Sequence, residues 1–542
     1  MEDGGSRAGV SDDRRPSPFF RRPAVKHAIQ DLARAEKLTI FVGAGVGTEL
    51  GLPSWSQLVR RLLADAVAGP EGRVWRRHLS AEETSIVERL LVAESVLGAA
   101  TIAKARLGKR FERSLRRALY GEEWRDQTLI APWSDSQYRR LDSTTVEAIA
   151  AIYASFDEGN RECDLVTTNY DPSLEEALAA IGIDAKPWFG DPAPPQRDGI
   201  RHVVRHLHGF LTPDESGGEV VLTEADYHEA GAQSFSWQES YLRRRLGESR
   251  MLFVGTSLSD PDVLSILFRT VKGGRDPAVA ILVQPSPTEG VPDLPSAPDD
   301  TVDASKDLRD ERWRSAGLDV LEADYISQPR QFLWEVALHA RDPDATPYGD
   351  RLVDWYRSCS EDLLFGLTDD VFFRESQDAL SGFFADVLWQ VREIVRERGH
   401  PSIDDESLAV RLWLRSTLPL HLGLEEKPDL CAMAMIACSD RAWRSPEAVD
   451  TRRIMLPTRR AALQAFCERR VVEHSQDGRD QWNYVVAIPV VLTAGHSRLP
   501  VGAITLASTA GAENSLLTRL ELEIREEIVN FLRGVAHGLL SS

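Results

Sequence analysis

Four short stretches concentrate the residue types that do chemistry, and each follows a strand-like run. In the first, residues 38–42 read as a buried strand, and Gly43-Ala44-Gly45 follow at once. Glycines there clear side chains from a sharp turn, so bare backbone N–H groups can approach a pyrophosphate near a helix N-terminus. The same turn serves equally as a plain strand-to-helix connection. In the second, Leu165-Val166 lead into Thr167-Thr168-Asn169-Tyr170-Asp171, with Ser173 and Glu176 spaced to cap a following helix. The carboxyl ends of parallel strands are where open α/β sheets hold ligands, while Asn and Asp are also common turn residues.

The third stretch, 200–209, alternates like a strand and ends at His208-Gly209. A histidine there is either a general base or a satisfied structural ring. His206, two residues back on the same strand face, is its rival, and His202 is a weaker one. The fourth is a strand at 251–255 that ends in Gly255 and is followed by Thr256-Ser257-Leu258-Ser259-Asp260. Ser257 and Asp260 either bond a ribose or cap the helix behind them.

The elements that must position these residues follow from the hydrophobic pattern. Further apolar runs at 279–284 and 318–324 read as strands, and helical segments separate all six runs. Strands alternating with helices make a Rossmann-like, doubly wound parallel sheet of the α/β class. A helix is expected over about 23–36. Between about 56 and 156 the three- and four-residue spacing of Leu58, Leu62, Leu63, Ile86, Leu90 and Leu97 predicts a helical insertion, its last helix opened by a Thr144–Glu147 capping box. Residues 1–22 lack apolar periodicity and read as a disordered tail. A proline-containing break at 343–350 reads as a linker. Beyond it, helix to about 398, strands near 431–438 and 471–474, a helix at 460–468, a hairpin from 484–492 and 499–506, and a helix over 517–539 predict an α+β domain at 351–542.

Composition narrows the class of function. The chain has 542 residues, 42% hydrophobic and 27% charged, enough for two or three domains with large cores. A formal charge of −20 works against nucleic acid or an anionic membrane as a partner. The five cysteines are scattered and odd in number, as reduced thiols of a cytoplasmic protein would be. No apolar run reaches membrane-spanning length.

Taken in order, Gly43-Ala44-Gly45-Val46 with Gly51-Leu52-Pro53, then Thr167-Thr168-Asn169-Tyr170-Asp171, then His208-Gly209, resemble the motifs of the sirtuin superfamily, whose members cleave the nicotinamide–ribose bond of NAD. The resemblance covers roughly residues 25–342. The Gly-Leu-Pro-x-Trp ending at Trp55 and the segment 220–227 are similar to the sirtuin-like domains of bacterial anti-phage effectors. Deacetylating sirtuins have Ser at the positions of Gly47 and Leu50, and Asp-Phe-Arg where this chain has Ser54-Trp55-Ser56. They also carry a four-cysteine zinc module after the histidine, whereas 208–255 contains no cysteine and cannot form one.

The resemblance implies NAD as substrate, no zinc, catalytic roles for Asn169, His208 and Asp171, and NAD contacts from Gly43, Ala44, Gly45, Thr48, Pro53, Thr168, Gly255, Ser257 and Asp260. The implied activity is NAD glycohydrolysis to nicotinamide and ADP-ribose, used in abortive anti-phage defence. A non-catalytic NAD or ADP-ribose sensor and an ADP-ribosyl transferase or cyclase stay open, with a deacetylase behind them. The segment 351–542 resembles a GAF domain, a sensor and dimerisation module. That implies a homo-oligomer and a small-molecule or protein trigger.

Overall fold

Strict alternation sorts the strands of the first sheet between two cores. In β1 (Lys37–Val42) the side chains of Leu38, Ile40 and Val42 enter one core and Phe41 the other. The pattern repeats in β5 (Arg250–Val254), where Leu252 and Val254 oppose Met251 and Phe253. Strands buried on both faces need helices on both faces. Helices Pro23–Arg34, Thr145–Glu158 and Ser327–Arg341 cover one side, and Trp237–Glu248 and Pro261–Val271 cover the other. The computed structural model describes residues 19–69, 79–121, 144–189, 200–213, 220–231, 237–256, 258, 261–271, 278–283, 311–359, 370–416, 430–445, 448–454, 458, 460–475 and 481–540.

The remaining strands are β2 (Glu162–Thr167), β3 (Ala185–Trp188), β4 (His202–His206), β6 (Ala278–Val283) and β7 (Leu318–Ala323). Among the described residues the sheet has seven strands in the order β3-β4-β2-β1-β5-β6-β7, and all its pairings are parallel. The chain therefore runs outward from β1 on one side and returns to β5 on the other. Such a reversal, beyond the carboxyl ends of β1 and β5, is where open α/β sheets bind ligands. Register levels the ends: Val42 pairs with both Thr167 and Val254, and Thr167 pairs with His206. Gly43, Thr168 and Gly255 thus leave the sheet at one height.

The two glycine turns touch backbone to backbone. Gly43 N–H donates to the Val254 carbonyl at 2.9 Å, and Gly45 N–H to the Gly255 carbonyl at 2.8 Å. A Cβ on Gly43 would lie 2.6 Å from the Gly255 oxygen, and Gly255 itself has φ +65°. Where a helix N-terminus was expected after Gly45, the chain forms a 3₁₀ turn, Ala44–Leu50, closed by left-handed Gly51. Only after Pro53 does a helix begin, Trp55–Ala68, with a Ser54–Gln57 capping box. Helices Ala81–Ala93, Val96–Leu107 and Phe111–Tyr120 follow, and Thr144 with Glu147 forms the capping box of Thr145–Glu158.

The last residues of the expected tail are packed. Phe19 and Phe20 are buried, Phe20 lies 4.3 Å from the Tyr348 ring, and Arg22 bonds Asp324. Two adjacent phenylalanines outweigh the polar composition before them.

The second sheet holds β8 (Leu408–Ser416), β9 (Ala432–Cys438), β10 (Thr451–Arg453), β11 (Val472–Ser475), β12 (Tyr484–Ala494) and β13 (Ser497–Ser508), all antiparallel, in the order β10-β9-β8-β13-β12-β11. Helices Asp370–Glu397 and Leu522–Leu540 pack against it through Phe384, Val387, Val391, Ile528 and Leu532, while Ala461–Glu468 packs through Leu463 and Phe466.

Helix Ser327–Arg341 is buried over almost its whole length because both sheets use it. Glu335 pairs with Arg351, and Gln331 donates to the Arg498 carbonyl at 2.9 Å and accepts from Arg469 at 2.7 Å. Arg330, 3% exposed, donates to the Glu468 carbonyl at 3.1 Å and lies 4.0 Å from Glu49 in the glycine-motif turn. The Glu49 carboxylate in turn accepts from Thr145 N–H at 2.8 Å.

Because backbone fills the space a methyl group would need, Gly43→Ala should lower stability by about 1–3 kcal/mol. A urea titration reads this as a lower midpoint; an unchanged midpoint would show that the two turns can separate at no cost.

Candidate functional site

Asn169 sits just beyond β2 and is 8% exposed. Its backbone N–H donates to Thr167 Oγ1 at 2.9 Å, and that hydroxyl donates to the Val42 carbonyl at 2.9 Å. Its side-chain Nδ2 donates to the Gly43 carbonyl at 3.2 Å. A carbonyl can only accept, so the amide group facing Gly43 must be the NH₂. The amide oxygen therefore points the other way, and it is buried without a partner. Unpaired buried acceptors are costly, so this atom is set to receive a donor such as a hydroxyl or water.

Three of the expected NAD contacts line the same turn. Gly45 and Thr48 are exposed and Ala44 is half-buried, while the Thr48 hydroxyl donates to the Gly45 carbonyl at 2.7 Å. Gly43 and Pro53 are buried, and Thr168 and Gly255 are half-buried beside them. Ser257 and Asp260 lie outside the described residues.

Asp171 is 5% exposed and accepts from Ser173 N–H at 3.1 Å. This Asx turn opens helix Ser173–Ala180 in place of the expected Ser173–Glu176 cap. Burial pushes the Asp171 carboxyl up, against the pull of the Ser173 bonds and of His206.

The two histidines part company because β4 ends at His206. His206 is 0% exposed; its Nδ1 bonds the Asn169 carbonyl at 2.8 Å and its Nε2 bonds Glu175 Oε1 at 2.9 Å. Burial alone would lower its pKa, but the Glu175 charge and bond, with the Asn169 carbonyl, leave it raised. His208 is half-buried two residues on, its ring edge-on to Tyr227 at 5.3 Å, and its carbonyl accepts from Val221 N–H at 2.9 Å. Direct bonds thus join Gly43, Asn169 and His206, and the contacts just given for His208 are to helix Glu224–Gly231 and the loop before it.

Glu175 was missed from sequence. Its neighbour Glu176 has the spacing of a cap, but the helix starts one residue differently and turns Glu175 inward. Tyr120, whose hydroxyl donates to the Leu211 carbonyl, is raised by burial and then by Asp171, and carried no sequence signal. Among the described residues, no group of three His, Cys, Asp or Glu side chains is arranged to hold a metal.

Residues 164–320 match a family model described as the SIR2-like domain. The chain therefore carries a SIR2-like domain that includes Asn169, His206, His208 and Gly255. Solved structures similar to the chain include two complexes. One is a Sir2 homologue–NAD complex at 14% identity, covering 59% of this chain and 94% of that chain with a TM-score of 0.26. The other is an ADP-ribose complex of a mutant Sir2 homologue at 15% identity, covering 54% and 96%, with a TM-score of 0.24. No curated protein matches the chain.

A raised folded-state pKa at His206 contributes stability that is complete below about pH 6.5 and is lost as pH rises through the folded value. The melting temperature of the parent should therefore fall, relative to His206→Gln, as pH rises above about 6.5. Parallel melting curves for the two proteins above that pH would contradict the assignment.

Proposed function

We propose that the chain is an NAD glycohydrolase, converting NAD and water to nicotinamide and ADP-ribose with release of a proton. The observation that carries this reading is the buried, unpartnered Asn169 oxygen at the reversal point of a SIR2-like domain. Nicotinamide leaves as a neutral ring from a cationic nucleoside, through an oxocarbenium-like state that water then captures. Asn169 orients a ribose hydroxyl or the attacking water through its oxygen. His208 removes the proton from that water or hydroxyl, and Asp171 supports the site. The pyrophosphate and adenosine half lie along Gly43, Ala44, Gly45, Thr48, Pro53, Thr168, Gly255, Ser257 and Asp260.

An enzyme that destroys NAD in its own cytoplasm must be held off until needed. The reading therefore extends to an anti-phage effector in which a GAF-like sensor at 351–542, within a homo-oligomer, responds to a small-molecule or protein trigger. The antiparallel sheet closed by a terminal helix supports a GAF-like module. Arg330 supports the control, because one buried guanidinium contacts both Glu468 and the glycine-motif turn at Glu49. A non-catalytic NAD or ADP-ribose sensor is the second reading, favoured because the imidazole bonded to Asn169 has both nitrogens engaged.

Incubating the full chain with NAD, with and without candidate cyclic nucleotides, and detecting free nicotinamide and ADP-ribose by mass separates the two. Asn169→Ala and His208→Ala should each cut turnover about a hundred- to ten-thousand-fold while leaving the fold intact. A folded variant working at the parent rate would remove that residue from the mechanism. Arg330→Ala should raise untriggered nicotinamide release about five-fold or more, since coupling of this kind is typically about 1–3 kcal/mol; an unchanged basal rate would sink the control.

A further inference from the structure

The described part of the site holds a buried device that the reaction scheme above does not use. His206 is fully enclosed, its ring 4.8 Å from Phe210 and 6.1 Å from Phe189, and it spans from the Asn169 backbone to Glu175 on the helix that follows. Proton accounting fixes its role. The Asn169 carbonyl can only accept, so Nδ1 must carry a hydrogen whatever the charge on the ring. At Nε2 the partner is a carboxyl oxygen at 2.9 Å, so the ring is either an imidazolium donating to carboxylate or a neutral ring accepting from a carboxylic acid. In both cases no lone pair is left for substrate, which excludes His206 as a general base in this arrangement.

We infer that His206 is a positioning residue: clamped by Glu175, it fixes the Asn169 carbonyl and through it the amide oxygen offered to a ribose hydroxyl or water. Three bonds hold Asn169. One is local, to Thr167, and another, to Gly43, fixes which end of the amide is left without a partner. The bond from His206 is the one that ties the loop to β4, 37 residues along the chain. Glu175 sets the ring's orientation as outer partners set a metal-bound histidine, and removing such partners commonly costs about ten- to a hundred-fold in activity. Glu175 Oε2 and Asn169 Oδ1 are both buried without a partner, so this clamp ends in an unpaired acceptor at each side.

The inference rests on the hydrolase reading for its substrate, but its test is separable from it. The full chain is compared with His206→Ala, Asn169→Ala and the double variant, all checked for folding by circular dichroism, in NAD turnover and in ADP-ribose affinity by calorimetry. A residue that acts only through Asn169 makes the cycle non-additive. His206→Ala should lose about ten- to a hundred-fold alone and nothing further in the Asn169→Ala background. His206→Gln, whose amide can still donate to the Asn169 carbonyl, should recover most of that loss. Additive losses, no loss in folded His206→Ala, or a His206→Gln as impaired as His206→Ala would each overturn the inference. If the parent releases no nicotinamide, the hydrolase reading alone fails and the same cycle in ADP-ribose affinity decides this one. A parent that neither cleaves NAD nor binds ADP-ribose overturns both.

Discussion

The contact on which the site depends is the bond from the Asn169 amide to the Gly43 carbonyl, which crosses 126 residues of sequence. It exists because β1 and β2 are neighbours in matched register, which brings the Gly43 carbonyl beside Asn169. The same backbone groups that turn the first strand also decide which end of an asparagine is left without a partner. Gly255 completes the arrangement from the other side, its carbonyl pressed against the turn where any Cβ would intrude. Position in the sheet, chain reversal and amide orientation are thus one constraint expressed three times.

Much of this was legible in the chain because buried parallel strands leave a strong signal. The six runs read as strands of the first sheet all occur, since each is short, apolar or alternating, and ends at a glycine or polar turn. Among the described residues three strands escaped: β3, β8 and the three-residue edge strand β10. β3 contains Pro187 and lies at the sheet edge, where a missing N–H is tolerated and the apolar pattern is weak. β8 is central, yet Arg411 and Arg415 alternate with Val410, Leu412 and Leu414, which disguises a buried strand as an amphipathic one. Arg415 is satisfied inside by the Leu430 carbonyl and the Tyr348 hydroxyl at 3.0 Å, partners that no local pattern shows.

At the site, sequence order located Asn169 and the glycine turn but not the partners that hold them. His206 and His208 are two residues apart, and period-two reasoning put them on one face; the strand stops at the first, so the argument had no strand left to act on. Glu175 and Glu176 show the same limit on a helix. A shift of one residue rotates a side chain by about a hundred degrees, enough to exchange a solvent-facing carboxylate for a buried one. Element type was readable, and phase at the element ends was not.

Helix Ser327–Arg341 packs against both sheets, with Phe332, Leu333 and Val336 buried and with Gln331 and Glu335 bonded to groups carried by the later half of the chain. A protein built this way is not two beads on a string. Exchanging the antiparallel-sheet half for another during evolution would require recutting this helix as well, so the two halves are expected to diverge as a unit, with shuffling confined to chains that already share the helix.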